Sequence, residues 1–301
     1  MKKKIRFIIN PLAGSRRFKI TEKTIRKNLD LSLFDYEIIH TKAAKHAIEL
    51  SNEAVLEHYD VVAAVGGDGT VNEVGRALIG KDALLAIVPT GSGNGLARHL
   101  KIPGKPSKAI KLINNLKTKT IDTVIINPAD THHKSTSNES FIVTAGVGFD
   151  ALIAHKFSEF SKRGLLSYIK AVFIEYPKYK TQDYEICVDG KTYMRNAFMI
   201  SVANSSQYGS NAVIAPDAII DDGCADVCLL NKFPRYLSPY LTWRLFNKTI
   251  DRSYYYEMIR GKEITIKQNS YLIHLDGDPY NMGGKIHIKV NPSSLNVIVP
   301  S

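Results

Sequence analysis

The sequence predicts an α/β domain built on a mostly parallel sheet, followed by a β-rich domain of antiparallel strands. Through residue 120, strand-length apolar runs alternate with helical apolar stripes, the pattern of consecutive βα units. From residue 121 to 301, strand-like stretches follow one another across short turns, the pattern of an antiparallel sandwich. Three first-domain strands end in loops rich in glycine, serine and threonine, so these loops gather at the carboxyl ends of the strands, where open α/β sheets bind ligands. The expected domains are therefore 1–120 and 121–301, with the terminal strand free to return to the first.

Taken in order, Ile5-Arg6-Phe7-Ile8-Ile9 is a strand and Asn10-Pro11-Leu12-Ala13-Gly14-Ser15 its loop. The preceding lysines do not make a signal peptide, because Asn10-Pro11 ends the apolar run too early for an h-region. Tyr36–His40 is a strand, and Thr41 opens the loop into a helix over Ala43–Glu57 with Ala47, Leu50 and Ala54 on one face. Val61–Val65 reads as a buried strand, followed by Gly66-Gly67-Asp68-Gly69-Thr70 and a helix through Val71-Asn72-Glu73-Val74. Glycines at that junction let backbone N–H groups approach a ligand, and the helix N-terminus favours negative charge. An aspartate among them implies a cation or a proton to be moved. Leu84–Val88 repeats the theme with the loop Pro89-Thr90-Gly91-Ser92-Gly93-Asn94-Gly95 and a short helix from Leu96. A helical stripe of Ala109, Leu112, Ile113 and Leu116 stops at Thr118-Lys119-Thr120.

Second-domain strands are expected at 121–126, 141–145, 183–188, 193–202, 225–230, 263–267, 271–275, 286–290 and 295–299. Asp189-Gly190 signals a type I′ hairpin. Thr131–Ser140 is a polar surface loop, and its His132-His133 pair lacks the acid or cysteine partners of a metal site. Pro234–Arg260 reads as a helical insertion rich in aromatic and basic residues. Two readings stay open for it: a membrane interface, or a helix packed on the sandwich with a solvated basic face. The basic residues from Lys156 through Lys162-Arg163 to Lys170, Lys178 and Lys180 divide the same way.

The 40 Lys+Arg against 29 Asp+Glu give a net charge of +11, which suits an anionic partner. Without an RNP-like aromatic motif or zinc spacing, nucleic acid is not expected, and an anionic membrane surface, bound reversibly, is. Three cysteines (Cys187, Cys224, Cys228) cannot all pair, and no run reaches transmembrane length. The expectation is a reduced, cytoplasmic protein, peripheral at the inner membrane face, with a homodimer left open. The glycine loops exclude familiar nucleotide sites. There is no Gly-x4-Gly-Lys-Ser/Thr, no His-Arg-Asp loop with a partner Asp-Phe-Gly, and Gly91-x-Gly93-x-Gly95 lacks dinucleotide spacing.

Asn10-Pro11 with Gly14, Gly-Gly-Asp-Gly-Thr with Asn72, the Pro89–Asn94 turn, Gly146-x-Gly148-x-Asp150, Asp221-Asp222-Gly223 and Asp276-Gly277-Asp278 occur in this order across nearly the whole chain. Together they resemble the diacylglycerol kinase / sphingosine kinase family of lipid kinases. The resemblance implies an NAD kinase/phosphofructokinase-like α/β domain, a β-sandwich that holds lipid, and an active site in the cleft between. It implies ATP and Mg2+ as cofactors and a membrane lipid as substrate. Residue by residue, it puts ATP on Asn10, Pro11, Leu12, Ala13, Gly14, Thr41, Gly66, Gly67, Asp68, Gly69, Thr70, Val71, Asn72 and Ser92. It puts Mg2+ on the Asp222 carboxylate with the carbonyls of Ile219 and Cys224. Asp150 orients metal-bound water or substrate, or else caps the Ala151–Phe157 helix. Asp278 accepts the proton, with Asp68 as the alternative base.

Two departures stand out. Asp278 occupies a position where many bacterial members carry glutamate, and Gly95 one where bacterial diacylglycerol kinases often carry aspartate. Gly-Ser-Gly-Asn is closer to sphingosine and ceramide kinases, which brings sphingoid bases and long-chain alcohols in beside diacylglycerol. Two other classes stay open: a non-catalytic lipid- or nucleotide-binding protein of the same fold, and a soluble-substrate kinase of NAD kinase type.

Overall fold

The computed structural model describes residues 2–13, 20–129, 138–158, 165–209 and 211–301, which fall into two units. Unit 1 comprises Met1–Thr123, Gly209–Asn211 and Pro292–Ser301, and unit 2 comprises Val124–Tyr208 and Ala212–Asn291.

Unit 1 runs β1 (Lys3–Ile9), α1 (Glu22–Asn28), β2 (Phe34–His40), α2 (His46–Leu56), β3 (Val61–Gly66), α3 (Asp68–Ala77), β4 (Leu84–Pro89), α4 (Gly95–His99) and α5 (Pro106–Ile113), before β5 (Thr118–Pro128) leads out of it. The strands lie in the order β2–β1–β3–β4, all parallel. Every residue of β3 is buried, as expected of a parallel strand covered on both faces. Arg6 is the one charge inside this sheet's β1. Its guanidinium donates to Glu37 and Glu57, each at 2.7 Å, and lies over the Tyr59 ring, so the buried charge is paired.

Unit 2 contains β6 (Glu139–Phe141), β7 (Thr144–Gly148), α6 (Phe149–Ser158), α7 (Leu165–Glu175), β8 (Gln182–Val188), β9 (Lys191–Ala203), β10 (Gln207–Gly209), β11 (Ala212–Val213), β12 (Ala225–Asn231), α8 (Ser238–Phe246), β13 (Tyr256–Gly261), β14 (Glu263–Lys267), β15 (Leu272–Leu275), β16 (Asp278–Asn281) and the start of β17 (Lys285–Ile298). Its strands pair antiparallel along the path β16–β15–β7–β9–β8–β14–β17, with β12 also on β9 and β13 on β12. Alternation splits β12 between two cores: Val227 and Leu229 pack into one cluster, Cys228 and Leu230 into the other. The expected α/β-then-antiparallel architecture is what forms. The terminal strand β17 ends in unit 1, where Val297 pairs parallel with Leu85 of β4.

Several elements differ from expectation. The helical insertion stops at Phe246: Lys248 takes φ 58°, and Thr249 N–H closes onto Arg244 O while Arg244 donates back to Thr249 O. Three consecutive tyrosines then favour a strand, and Tyr256 pairs with Leu230. The two expected C-terminal strands are one strand of 14 residues, and Thr118 starts β5 instead of only ending a helix. Helices α1 and α7 and strand β16 were not expected. Asp189 and Gly190 both have positive φ (47° and 83°), as a type I′ turn requires. His132, His133, Lys162 and Arg163 lie outside the described residues.

Candidate active site

Four adjacent parallel strands in unit 1 each end in a segment singled out from the sequence. β1 runs into Asn10, β2 into Thr41, β3 into Gly67-Asp68 and β4 into Thr90–Asn94. Backbone bonds carry the sheet one residue further at three of these ends. Asn10 N–H donates to Val65 O (3.0 Å), Thr41 N–H to Ile9 O (2.9 Å) and Thr90 N–H to Gly66 O (2.8 Å). Side chains then join the loops. Asn10 Nδ2 donates to Thr70 Oγ1 at 3.1 Å, while Asn10 Oδ1 accepts Leu12 N–H at 3.0 Å.

Asp68 ties the second loop to the third. Its Oδ2 accepts Asn94 N–H at 2.8 Å and its Oδ1 accepts Gly95 N–H at 2.5 Å, so both oxygens engage the turn that opens α4. The two glycine loops touch backbone to backbone: a Cβ on Gly91 would sit 2.6 Å from Gly67 Cα, so only glycine fits there. Arg98 Nε donates to Gly93 O (2.7 Å) and closes the same turn from its far side.

Two buried amide oxygens, Asn72 Oδ1 and Asn94 Oδ1, have no protein partner among the described residues. Asn94 Nδ2 donates to Gly91 O at 2.7 Å, which fixes that amide's orientation and leaves its oxygen as an acceptor. Buried acceptors of this kind call for a donor, from water or from a ligand. Ribose hydroxyls and an adenine amine supply such donors, so the residues present fit a nucleotide. Of the other predicted contacts, Thr70, Val71 and Asn72 are buried in α3, Ser92 and Pro11 are exposed, and Gly14 lies outside the described residues. Sequence reasoning missed Glu73, which accepts the N–H groups of Lys45 (3.0 Å) and Ala47 (3.1 Å) and so anchors the loop after Thr41 to α3.

The remaining predicted residues lie in unit 2. Asp276 accepts three backbone N–H groups, from Ile142 (2.9 Å), Val143 (2.8 Å) and Thr144 (2.9 Å), and its own N–H donates to Thr144 O. Asp278, two residues on, is exposed at the first position of β16. Asp150 is buried in the first turn of α6. Its Oδ1 accepts Ala151 N–H, and its Oδ2 meets both the Tyr208 hydroxyl and His274 Nε2. Both carboxylate oxygens therefore have protein donors.

Asp222 has different partners. Its Oδ1 accepts Cys224 N–H at 3.0 Å and its Oδ2 lies 3.4 Å from Arg260 Nη1. Arg260 is held charged first by its bond to Asp226, its nearest carboxylate at 2.7 Å. A divalent cation at Asp222 would stand beside that fixed positive charge, so Ile219, Asp222 and Cys224 as arranged do not fit Mg2+. Burial, followed by the Asp222 charge, pushes the Cys224 thiol up, which keeps it protonated. Among the described residues no three His, Cys, Asp or Glu side chains cluster as a metal site.

Comparison with known proteins agrees with this architecture. Residues 4–126 match the diacylglycerol kinase catalytic domain, and residues 142–299 match the YegS C-terminal NAD kinase beta sandwich-like domain. A diacylglycerol kinase of Bacillus subtilis is 28% identical over 76% of this chain and 74% of its own length. A "Probable lipid kinase YegS-like" protein of Yersinia enterocolitica is 29% identical over 83% of this chain and 82% of its own. Two solved structures share the fold. One is of a diacylglycerol kinase from Bacillus anthracis (TM-score 0.73, 22% identity, 99% of this chain and 97% of that chain). The other is yeast NADH kinase with NADH (TM-score 0.55, 11% identity, 100% of this chain and 84% of that chain). With a diacylglycerol kinase catalytic domain followed by a YegS-type β-sandwich domain, the chain belongs to the bacterial lipid kinase family, a family of phosphotransferases.

Proposed function

We propose that the protein is an ATP-dependent lipid kinase that transfers the γ-phosphate to a hydroxyl of a membrane lipid. The observation that supports this most is the gathering of four loops at the carboxyl ends of adjacent parallel strands, with the Asn72 and Asn94 amide oxygens left buried and unpartnered. Phosphoryl transfer asks little covalent chemistry of a protein and much positioning. In this reading Asn10, Thr70 and the glycine-loop N–H groups hold the phosphates. Asp68 acts by fixing the Asn94-Gly95 turn, and Asn72 and Asn94 accept from the nucleoside. Mg2+ bound with ATP supplies charge neutralisation at the phosphate oxygens. The exposed Asp278 takes the acceptor's proton as the new O–P bond forms and ADP departs.

The acceptor is tested directly. Labelled ATP and Mg2+ are supplied with diacylglycerol, sphingoid base or a mixed lipid extract, and label is expected in the lipid phase. Label only in a water-soluble product would make the protein a soluble-substrate kinase, and no transfer to any acceptor would make it a binding protein.

Docking to an anionic membrane, on its cytoplasmic face, is part of the same proposal. Tyr236, Tyr240, Trp243, Phe246 and Tyr254 are exposed around α8, beside the exposed cations Lys248 and Arg252. Arg244, the cation within α8 itself, is engaged: it donates to Thr249 O and stacks over the Tyr240 ring at 4.7 Å. Among the described residues no helix is long and apolar enough to cross a membrane. Each surface cation contributes about 1 kcal/mol at an anionic bilayer, within a Debye length of about 10 Å at 0.1 M salt. Binding to anionic vesicles is therefore expected to weaken with salt and with Lys248→Gln plus Arg252→Gln, and Arg244→Gln to act mainly on stability. Equal binding to neutral vesicles would sink this assignment.

A further inference from the structure

His274 is a buried imidazole in an otherwise apolar strand, Leu272-Ile273-His274-Leu275. A lone histidine in such a setting is ordinarily packed core, but both ring nitrogens here have polar partners. Nε2 lies 3.1 Å from Asp150 Oδ2, and because a carboxylate accepts, Nε2 carries the hydrogen. Nδ1 is then the acceptor, and it receives Gly277 N–H at 3.4 Å. Tyr208 donates its hydroxyl to the same Asp150 oxygen. Strand register puts His274 opposite Gly146, and a Cβ on Gly146 would run into both the Asp150 carboxylate and the His274 ring. The Asp150–His274 pair therefore depends on glycine at that position.

These bonds form one chain, from the half-buried Tyr208 through the buried Asp150 and His274 to the backbone of the exposed Gly277. Gly277 is the middle residue of Asp276-Gly277-Asp278, and both Asp276 (φ 49°) and Gly277 (φ 88°) are left-handed. These are the angles of the two-residue Asp-Gly hairpin turn, here joining β15 to β16, and side-chain bonds add to its hold. Asp276 grips one side through its three N–H donors, and His274 grips the other. The next residue is Asp278, whose direction follows from the turn.

We infer that His274 is a positioning residue for phosphoryl transfer, holding Asp278 through Gly277, with Asp150 and Tyr208 fixing the imidazole's tautomer and orientation. This rests on the assignment of Asp278 as proton acceptor. The test is steady-state kinetics of His274→Gln and Tyr208→Phe, each in the native chain and in an Asp278→Asn background. MgATP is used with diacylglycerol or sphingoid base in detergent micelles, whichever takes label. Glutamine keeps a donor toward Asp150, but its acceptor oxygen sits on the same terminal carbon and not at the Nδ1 position that faces Gly277. His274→Gln is expected to lower kcat about 10-fold, with both KM values and the thermal midpoint near native, as for loss of an orienting partner. That loss should vanish where Asp278 is already asparagine, because residues acting through one another are not additive. Tyr208→Phe removes a single hydroxyl far from the turn and should lose less, about 3-fold, with the same dependence on Asp278. If His274→Gln fails to fold, Tyr208→Phe carries the test alone. Equal losses in both backgrounds, or a loss seen only in KM, would overturn the inference. Full activity of His274→Gln beside a crippled Asp278→Asn removes the role of His274 alone. Near-native activity of Asp278→Asn removes the base assignment itself and His274's role with it.

Discussion

The Asp68 turn of unit 1 and the Asp276–Asp278 turn of unit 2 look alike in sequence, each an aspartate beside glycine at the end of a strand. Their carboxylates are used differently. Asp68 gives its two oxygens to the N–H groups of Asn94 and Gly95, and Asp276 collects three N–H groups from Ile142, Val143 and Thr144. Both work as backbone clamps. Asp278 stands exposed at the head of β16, and the clamp two residues before it sets its place. In the proposed mechanism the chemistry falls to Asp278, while Asp68 and Asp276 hold backbone.

The largest expected effect is on Asp278. Asp278→Asn should lower kcat about 100-fold or more, the usual worth of a general base, while the far-ultraviolet circular dichroism and thermal midpoint stay native. Asp68→Asn should behave differently. Its amide nitrogen would face one of the two N–H donors, Asn94 or Gly95, and a lost bond to a charged group is worth about 1.5–3 kcal/mol. Part of that loss should appear as weaker ATP binding, roughly 10-fold in KM for ATP, and part as a lower thermal midpoint. A 100-fold fall in kcat for Asp68→Asn at unchanged KM, with Asp278→Asn active, would invert the comparison and make Asp68 the base.

Much of this was legible in the sequence, for physical reasons that also mark where it stopped. Val61–Gly66 is buried on both faces and Asp189-Gly190 needs two positive φ angles, so apolar runs and turn chemistry read out directly as β3 and a hairpin. The loops of unit 1 were readable because each follows its strand in the chain. Tyr256–Gly261 was not, because aromatic spacing fits either a helix face or a strand, and pairing with β12 decided it. His274 was hidden for a different reason. Its partner Asp150 is 124 residues away, and only the register of β15 against β7 brings the two together across Gly146. Nor does a sequence say that three N–H groups converge on Asp276.

The smallest effect is expected at the third Asp-Gly turn, and it sharpens the same distinction. Asp222 resembles Asp68 in accepting a backbone N–H, from Cys224, but its other oxygen faces Arg260, whose closer partner is Asp226. Both groups of the Asp222–Arg260 pair are partly exposed, and such pairs contribute about 0–1 kcal/mol. Asp222→Asn should therefore shift the thermal midpoint little and leave turnover native. A metal turn would respond differently, because a cation that binds only the folded protein stabilises it by mass action, about 2.7 kcal/mol at 100 times its Kd. The check is thermal unfolding of the native chain and of Asp222→Asn, without nucleotide, across a Mg2+ titration and after chelation. Superimposable Mg2+ dependence in the two proteins is the outcome expected of an ion-paired clamp. A midpoint that rises with Mg2+ in the native chain and stays flat in the variant would restore Asp222 as a metal ligand, and Arg260 would then have to release it.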